Sequence, residues 1–201
     1  IISPNHDNFY GDNVLNSVGA LHHIKKNNEA CNPNLVTCIV GGDNQHYHFD
    51  DKEAKELCNK LIKIKNNKKD IDLNIITSRR TSDLVKKILL EKLKNIAKIW
   101  TGDGANPYKE SIQNSSFFIV TSDSTSMISE ASISGMPIYI YHLEFKRKSK
   151  RIENFHNEFS KLGITKDIKN INYLKKWTYN SLNESERIAR IIKKKIIEEN
   201  I

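Results

Sequence analysis

The chain has 201 residues, a net charge of +8 and 38% apolar residues, a length that accommodates one closed core with some additional elements. Its longest apolar runs, such as Leu35 to Val40, are far shorter than the ~20 residues of a bilayer-spanning helix, and its three cysteines form no C-x-x-C pair, which argues against a zinc site and a disulfide framework. The positive charge admits anionic partners, but no nucleic-acid recognition module accompanies it, so nucleic acid is excluded and a reducing, cytoplasmic setting is expected, with any membrane contact peripheral.

Residues 1–33 open on Ile1-Ile2-Ser3-Pro4 without an initiator Met and read as the end of an N-terminal domain and an interdomain linker. From there, apolar strand-like runs alternate with amphipathic stretches. The runs are Leu35–Val40, Leu73–Thr77, Ala97–Trp100, Phe117–Thr121 and Pro137–Tyr141. Between them, Asp51–Lys65, Asp83–Lys94, Pro107–Ile112 and Met127–Ser134 carry helical spacing. This alternation predicts an α/β domain over 34–165: a Rossmann-like parallel five-stranded sheet in the order 3-2-1-4-5, with helices on both faces. Residues Ile152, Phe155, Phe159 and Leu162 form a further apolar face ended by Gly163. Residues 166–201 are expected to be C-terminal helices packing on the domain, the last over Glu184–Asn200 with Ile188, Ile191, Ile192 and Ile196 as its buried stripe.

Ligands of such sheets bind beyond the carboxyl ends of the strands, where strand order reverses. The two most polar loops follow the first and fourth strands. The first, Gly41-Gly42-Asp43-Asn44, offers glycines for a tight turn or a close ligand; the fourth leads through Ser124-Thr125-Ser126 into a helix whose free N–H groups form an anion site. Simple N-capping explains those three residues equally well, yet leaves Glu130, four residues after Ser126, outside capping-box spacing. A ligand-contacting Glu130 is therefore expected. Ser78, Arg79 and Arg80 precede another helix N-terminus, where cations are disfavoured, and invite either a diphosphate or a neighbouring acid. In the third loop Asn106 reads as an N-cap with Pro107 in the first helical position, close to Tyr108. His46, His48 and Asp43 match no familiar metal spacing, so no metal is expected. Neither G-x-G-x-x-G nor a P-loop occurs, which argues against dinucleotide redox chemistry and nucleotide hydrolysis of that type.

The runs Gly41-Gly42-Asp43-Asn44, Thr77-Ser78-Arg79-Arg80-Thr81, Gly104-x-Asn106-Pro107-Tyr108 and Thr121-x-Asp123-Ser124-x-Ser126-Met127-x-Ser129-Glu130-Ala131-x-x-x-Gly135-x-Pro137 appear in that order. Pro4-x-His6-Asp7, Gly11-x-Asn13-Val14 and Gly19-Ala20-Leu21-His22 precede them. Together they resemble the elongated-mitochondria (mitochondrial fission) family. That resemblance implies the C-terminal, donor-binding domain of a GT-B architecture and a nucleotide-sugar-dependent, metal-independent glycosyltransferase-like protein. The donor, a nucleotide diphosphate sugar, would be a substrate, with no cofactor. Glu130 would take ribose hydroxyls and Ser124 to Ser126 the diphosphate, with Gly41, Gly42, Asp43, Asn44, Ser78, Arg79, Arg80, Asn106 and Tyr108 around them. The acceptor would be lipid-linked or anionic, and no catalytic residue is assigned, His22-His23 being a speculative base. Two other readings compete: a nucleotide-sugar epimerase of the same fold, and a non-catalytic division adaptor that binds a dynamin-related partner.

Overall fold

The structure, a computed structural model, describes residues 1–27 and 29–199. A small parallel pair, β1 (Ile2–Pro4) and β2 (Leu15–Ser17), precedes the main sheet. The sheet is built from β3 (Asn32–Val40), β4 (Asp72–Thr77), β5 (Ala97–Trp100), β6 (Ser115–Thr121), β7 (Ile138–Tyr141) and β8 (Thr165–Asp167). All neighbours are parallel, in the order β5-β4-β3-β6-β7-β8. The five expected strands hold the expected 3-2-1-4-5 order, and β3 and β6 are central.

The sheet has six strands rather than five. Residues Thr165-Lys166-Asp167 extend it beyond β7, pairing Ile138 with Thr165 and Ile140 with Asp167. As an edge strand it buries little, so its polar composition carries none of the apolar signal that marked the other strands.

The helices are α1 (Asp51–Asn67), α2 (Asp83–Leu93), α3 (Tyr108–Asn114), α4 (Thr125–Ser132), α5 (Lys150–Lys161) and α6 (Glu184–Glu199). Alternate strand residues sort them onto two faces. Val36, Cys38, Val40, Ile75 and Ile119 meet Leu57 and Leu61 of α1 and Val85 and Leu89 of α2. Ile39, Phe118, Val120 and Ile140 point the other way, to Ile112 of α3, Ile128 of α4 and Phe155 and Phe159 of α5. With both faces covered, the strands read as continuous apolar runs rather than alternating ones.

Residues before β3 pack along the α5 and α6 side. His6 meets Phe155 edge-on at 5.2 Å between ring centroids, and Asp7 pairs with Arg151. Val18 donates its N–H to Glu184 at 2.8 Å, and the His22 N–H and carbonyl each bond the Ser185 hydroxyl. In the segment 166–201 the described residues contain one helix, α6, with a non-helical strap between it and β8. The apolar stripe expected on α6 is not a buried one: Ile188 is 2% exposed, but Ile192 and Ile196 are 36% and 54% exposed. Polar contacts of Glu184 and Ser185 at the helix start hold α6 in place, and its second half leaves the core. Asn200 lies outside the described residues.

Candidate functional site

The loops after β3, β4 and β6 meet at one buried carboxylate. Asp123 accepts the Gly42 N–H at 3.0 Å and the Thr121 hydroxyl at 2.6 Å, and its Oδ2 lies 2.8 Å from the Arg80 guanidinium. Thr121 in turn accepts the Gly41 N–H at 2.8 Å. A charge taken out of water needs both a counter-charge and filled lone pairs, and Asp123 has both. Its side chain is 0% exposed while that of Arg80 is 40% exposed, so the pair runs from a buried acid to a partly solvated guanidinium.

This junction explains the glycines. A Cβ on Gly41 would lie 2.1 Å from an Asp123 carboxylate oxygen, and one on Gly42 would lie 2.0 Å from the Arg80 carbonyl oxygen. The close approach that the Gly-Gly pair permits is thus to the neighbouring loops of the same domain. The β4 loop is locked to the same place: Ser78 donates its N–H to the Val40 carbonyl at 2.9 Å, and Thr81 gives its hydroxyl to the Val40 and Gly41 carbonyls. Ser78 Oγ accepts the Arg80 N–H at 3.2 Å. Of the two arginines, Arg80 has the neighbouring acid and Arg79 is exposed, without an ion pair among the described residues.

Asp43 and Asn44 serve their own loop. Asp43 accepts the Phe49 N–H at 3.2 Å and pairs with Lys146, which holds its carboxyl below the usual carboxylate range. Asn44 Oδ1 accepts the His46 and Tyr47 N–H groups at 2.8 and 3.0 Å, while its amide donates to the Asp123 carbonyl at 3.3 Å. Tyr47 stacks on Phe145 at 4.6 Å, tying the loop after β3 to the loop after β7.

Beyond the junction, α4 begins. Ser124 is its N-cap, with its hydroxyl accepting the Met127 N–H at 3.4 Å, so the cap lies before Thr125 and Ser126. Thr125 is half-buried and Ser126 exposed at the first turn, whose leading N–H groups point away from the helix. Glu130 is five residues beyond Thr125, about 7.5 Å along the axis, and its side chain leans back toward the N-terminus. The carboxylate is half-buried and accepts the Tyr108 hydroxyl on Oε2. Burial, and then the Glu130 charge, push the Tyr108 phenol far above its ordinary range. Tyr108 itself starts α3. Pro107, not Asn106, occupies the N-cap position, and Asn106 Oδ1 instead accepts the Tyr108 N–H at 2.9 Å.

The segment before β3 runs beside α4, where Ala20 donates its N–H to Ser129 Oγ at 3.0 Å. Burial lowers the His22 pKa, and Glu130 opposes that shift.

The family model described as Mitochondrial fission ELM1 matches residues 1–196. The chain belongs to the ELM1 family. An uncharacterized protein of Rickettsia prowazekii is 33% identical over 165 residues, covering 79% of this chain and 46% of that protein. The mitochondrial fission protein ELM1 of Arabidopsis thaliana is 25% identical over 203 residues, covering 92% and 46%. The chain therefore spans about half the length of these relatives. Among solved structures, UDP-GlcNAc 2-epimerase from Neisseria meningitidis, bound to UDP-GlcNAc, is similar at 14% identity and a TM-score of 0.45, over 79% of this chain and 44% of that one. Acinetobacter baumannii MurG is similar at 11% identity and a TM-score of 0.46, over 82% and 46%.

The geometry of this ELM1-family chain brings the expected residues together in two groups. Gly41, Gly42, Ser78 and Arg80 surround Asp123, whereas Ser124, Thr125, Ser126, Glu130 and Tyr108 follow α4, with Asn106 just before α3. Asp123 is absent from the expected set, where it stands only as one letter of a motif, although an acid directly after a buried strand is itself a signal. Among the described residues no group of three or more His, Cys, Asp or Glu side chains is placed to hold a metal ion, and no helix is long and apolar enough to cross a membrane.

Proposed function

We propose that this chain binds the nucleoside diphosphate part of a nucleotide sugar, as the donor-binding domain of a glycosyltransferase-like protein of GT-B type. The observation that carries the reading is that Arg80 pairs with Asp123 directly before Ser124, the N-cap of α4, and that Glu130 follows on the same helix. A helix N-terminus and a guanidinium suit a diphosphate, and a carboxylate one and a half turns along suits the hydroxyls of the attached ribose. The partner is then a nucleotide diphosphate sugar that needs no metal from these residues. Acceptor recognition and the reacting groups belong to the whole protein.

Calorimetric titration with uridine diphosphate tests the reading. A hydrogen bond to a charged group contributes about 1.5–3 kcal/mol before desolvation, so Glu130→Gln is expected to weaken binding about tenfold or more, with little change in melting temperature. Uridine diphosphate that binds both proteins equally, or neither, removes the ribose assignment and leaves a binding role of the adaptor kind.

A further inference from the structure

The hydrogen bond between Tyr108 and Glu130 joins α3 to α4, and its two ends are unequal. The Tyr108 ring is packed against the core that contains Ile112 and Ile128, so its hydroxyl has a fixed position. Glu130 has three rotatable side-chain bonds and sits half-buried on a helix flank. Its Oε2 accepts the phenol, while Oε1 accepts no hydrogen bond from the described residues and is not fully buried. One oxygen is thus anchored and the other is presented.

We propose that Tyr108 is a positioning residue that fixes the Glu130 carboxylate in one orientation, so that Oε1 meets the vicinal hydroxyls of a ribose and the site distinguishes ribose from 2′-deoxyribose. This rests on the reading of Glu130 given above. An unanchored glutamate loses rotamer freedom when it binds, and an anchored one has already lost it, which is the usual gain from preorganisation. The phenol remains a donor throughout the physiological range, because burial and the adjacent Glu130 charge keep it protonated. Tyr108 therefore touches the ligand only through Glu130, and the third loop acts on the site through this contact.

The test is a double-mutant cycle on one ratio, the affinity for uridine diphosphate divided by that for 2′-deoxyuridine diphosphate, with Tyr108→Phe, Glu130→Gln and the double variant. Tyr108→Phe keeps the packed ring. It is expected to lower the ratio about three- to tenfold while leaving the 2′-deoxy affinity within about twofold. Glu130→Gln is expected to abolish the preference, and adding Tyr108→Phe to it to change nothing further. Should Tyr108→Phe melt early, Glu130→Asp withdraws the carboxylate from the phenol by one methylene and is expected to lower the same ratio. An unchanged ratio in Tyr108→Phe, with the preference lost in Glu130→Gln, overturns the positioning role and leaves the Glu130 reading in place. Equal losses for both ligands overturn it as well, since that is what a purely structural contact gives. A parent protein with no preference removes the Glu130 reading and this inference together.

Discussion

A single methyl group at Gly42 tests whether the loop junction is as close as the geometry requires. The added Cβ would meet the Arg80 carbonyl oxygen at 2.0 Å, its carbon at 2.3 Å and the Arg80 Cβ at 2.8 Å, so backbone atoms rather than a flexible side chain must yield. Overpacking of this kind costs about 1–3 kcal/mol. Displacing the loop also takes the Gly42 N–H away from Asp123, and a hydrogen bond to a buried charge contributes about 1.5–3 kcal/mol. The two costs share one movement and do not simply add, giving about 2–5 kcal/mol for Gly42→Ala. For a chain of this size that lowers the melting temperature by roughly 5–15 °C. Gly104→Ala is the control, because Gly104 has a φ of +74° and nothing within 4 Å of an added Cβ. It carries only the left-handed backbone penalty of about 1–2 kcal/mol. Urea denaturation followed by circular dichroism measures both. A Gly42→Ala midpoint equal to the parent's, or above that of Gly104→Ala, would refute the argument from close approach.

The buried pair at the junction has an expected asymmetry. Asp123→Ala leaves Arg80, the Gly42 N–H and the Thr121 hydroxyl without their acceptor and is expected to destabilise by about 3–4 kcal/mol. Arg80→Gln strips the counter-charge from a fully buried carboxylate and is expected to cost about 3–5 kcal/mol, at least as much as Asp123→Ala, which leaves a partly exposed guanidinium; thermal melts in which Arg80→Gln costs clearly less than Asp123→Ala would refute the role of Arg80 as the counter-charge. A pH dependence follows from His156, whose Nε2 lies 3.0 Å from the Ser122 carbonyl oxygen and whose pKa burial lowers to about 4. Because the unfolded chain takes up this proton near pH 6.5 and the folded chain only near 4, stability is complete above the first value and falls as pH drops through that window. The loss is on the order of 3 kcal/mol, and His156→Gln is expected to flatten the stability curve between pH 4 and 6.5; an unchanged slope would remove His156 as its source.

The parts of the fold legible in sequence were those with two covered faces. Val36 to Val40 and Phe117 to Val120 are apolar on both sides of the sheet because helices lie on both, and that supports the strand assignment. Edge and surface elements gave no such constraint. Thr165 to Asp167 looks like a loop because an edge strand is fixed by backbone hydrogen bonds, not by its side chains. The α6 stripe follows helical spacing, yet spacing alone does not say that anything covers it. At the candidate site, sequence order could place Glu130 and Tyr108 near the carboxyl ends of their strands, but not in contact, since α3 and α4 meet only through tertiary packing. The arginine pair was ambiguous for the same reason. Whether Arg80 lacks an acid depends on Asp123, which is 43 positions away along the chain but 2.8 Å away in space.

The spacing of these contacts along the chain also bears on when the site forms. Gly42 reaches Asp123 across 81 positions, Ala20 reaches Ser129 across 109, and Val18 reaches Glu184 across 166. The central β3–β6 pairing joins Ile39 to Val120, with β4 and β5 in the chain between them. Contacts of such long range are slow to form because closing a large loop precedes any stabilising gain. Contacts of that range are expected to form late, and a nascent chain released before Glu184 lacks the partners that hold Val18 and His22.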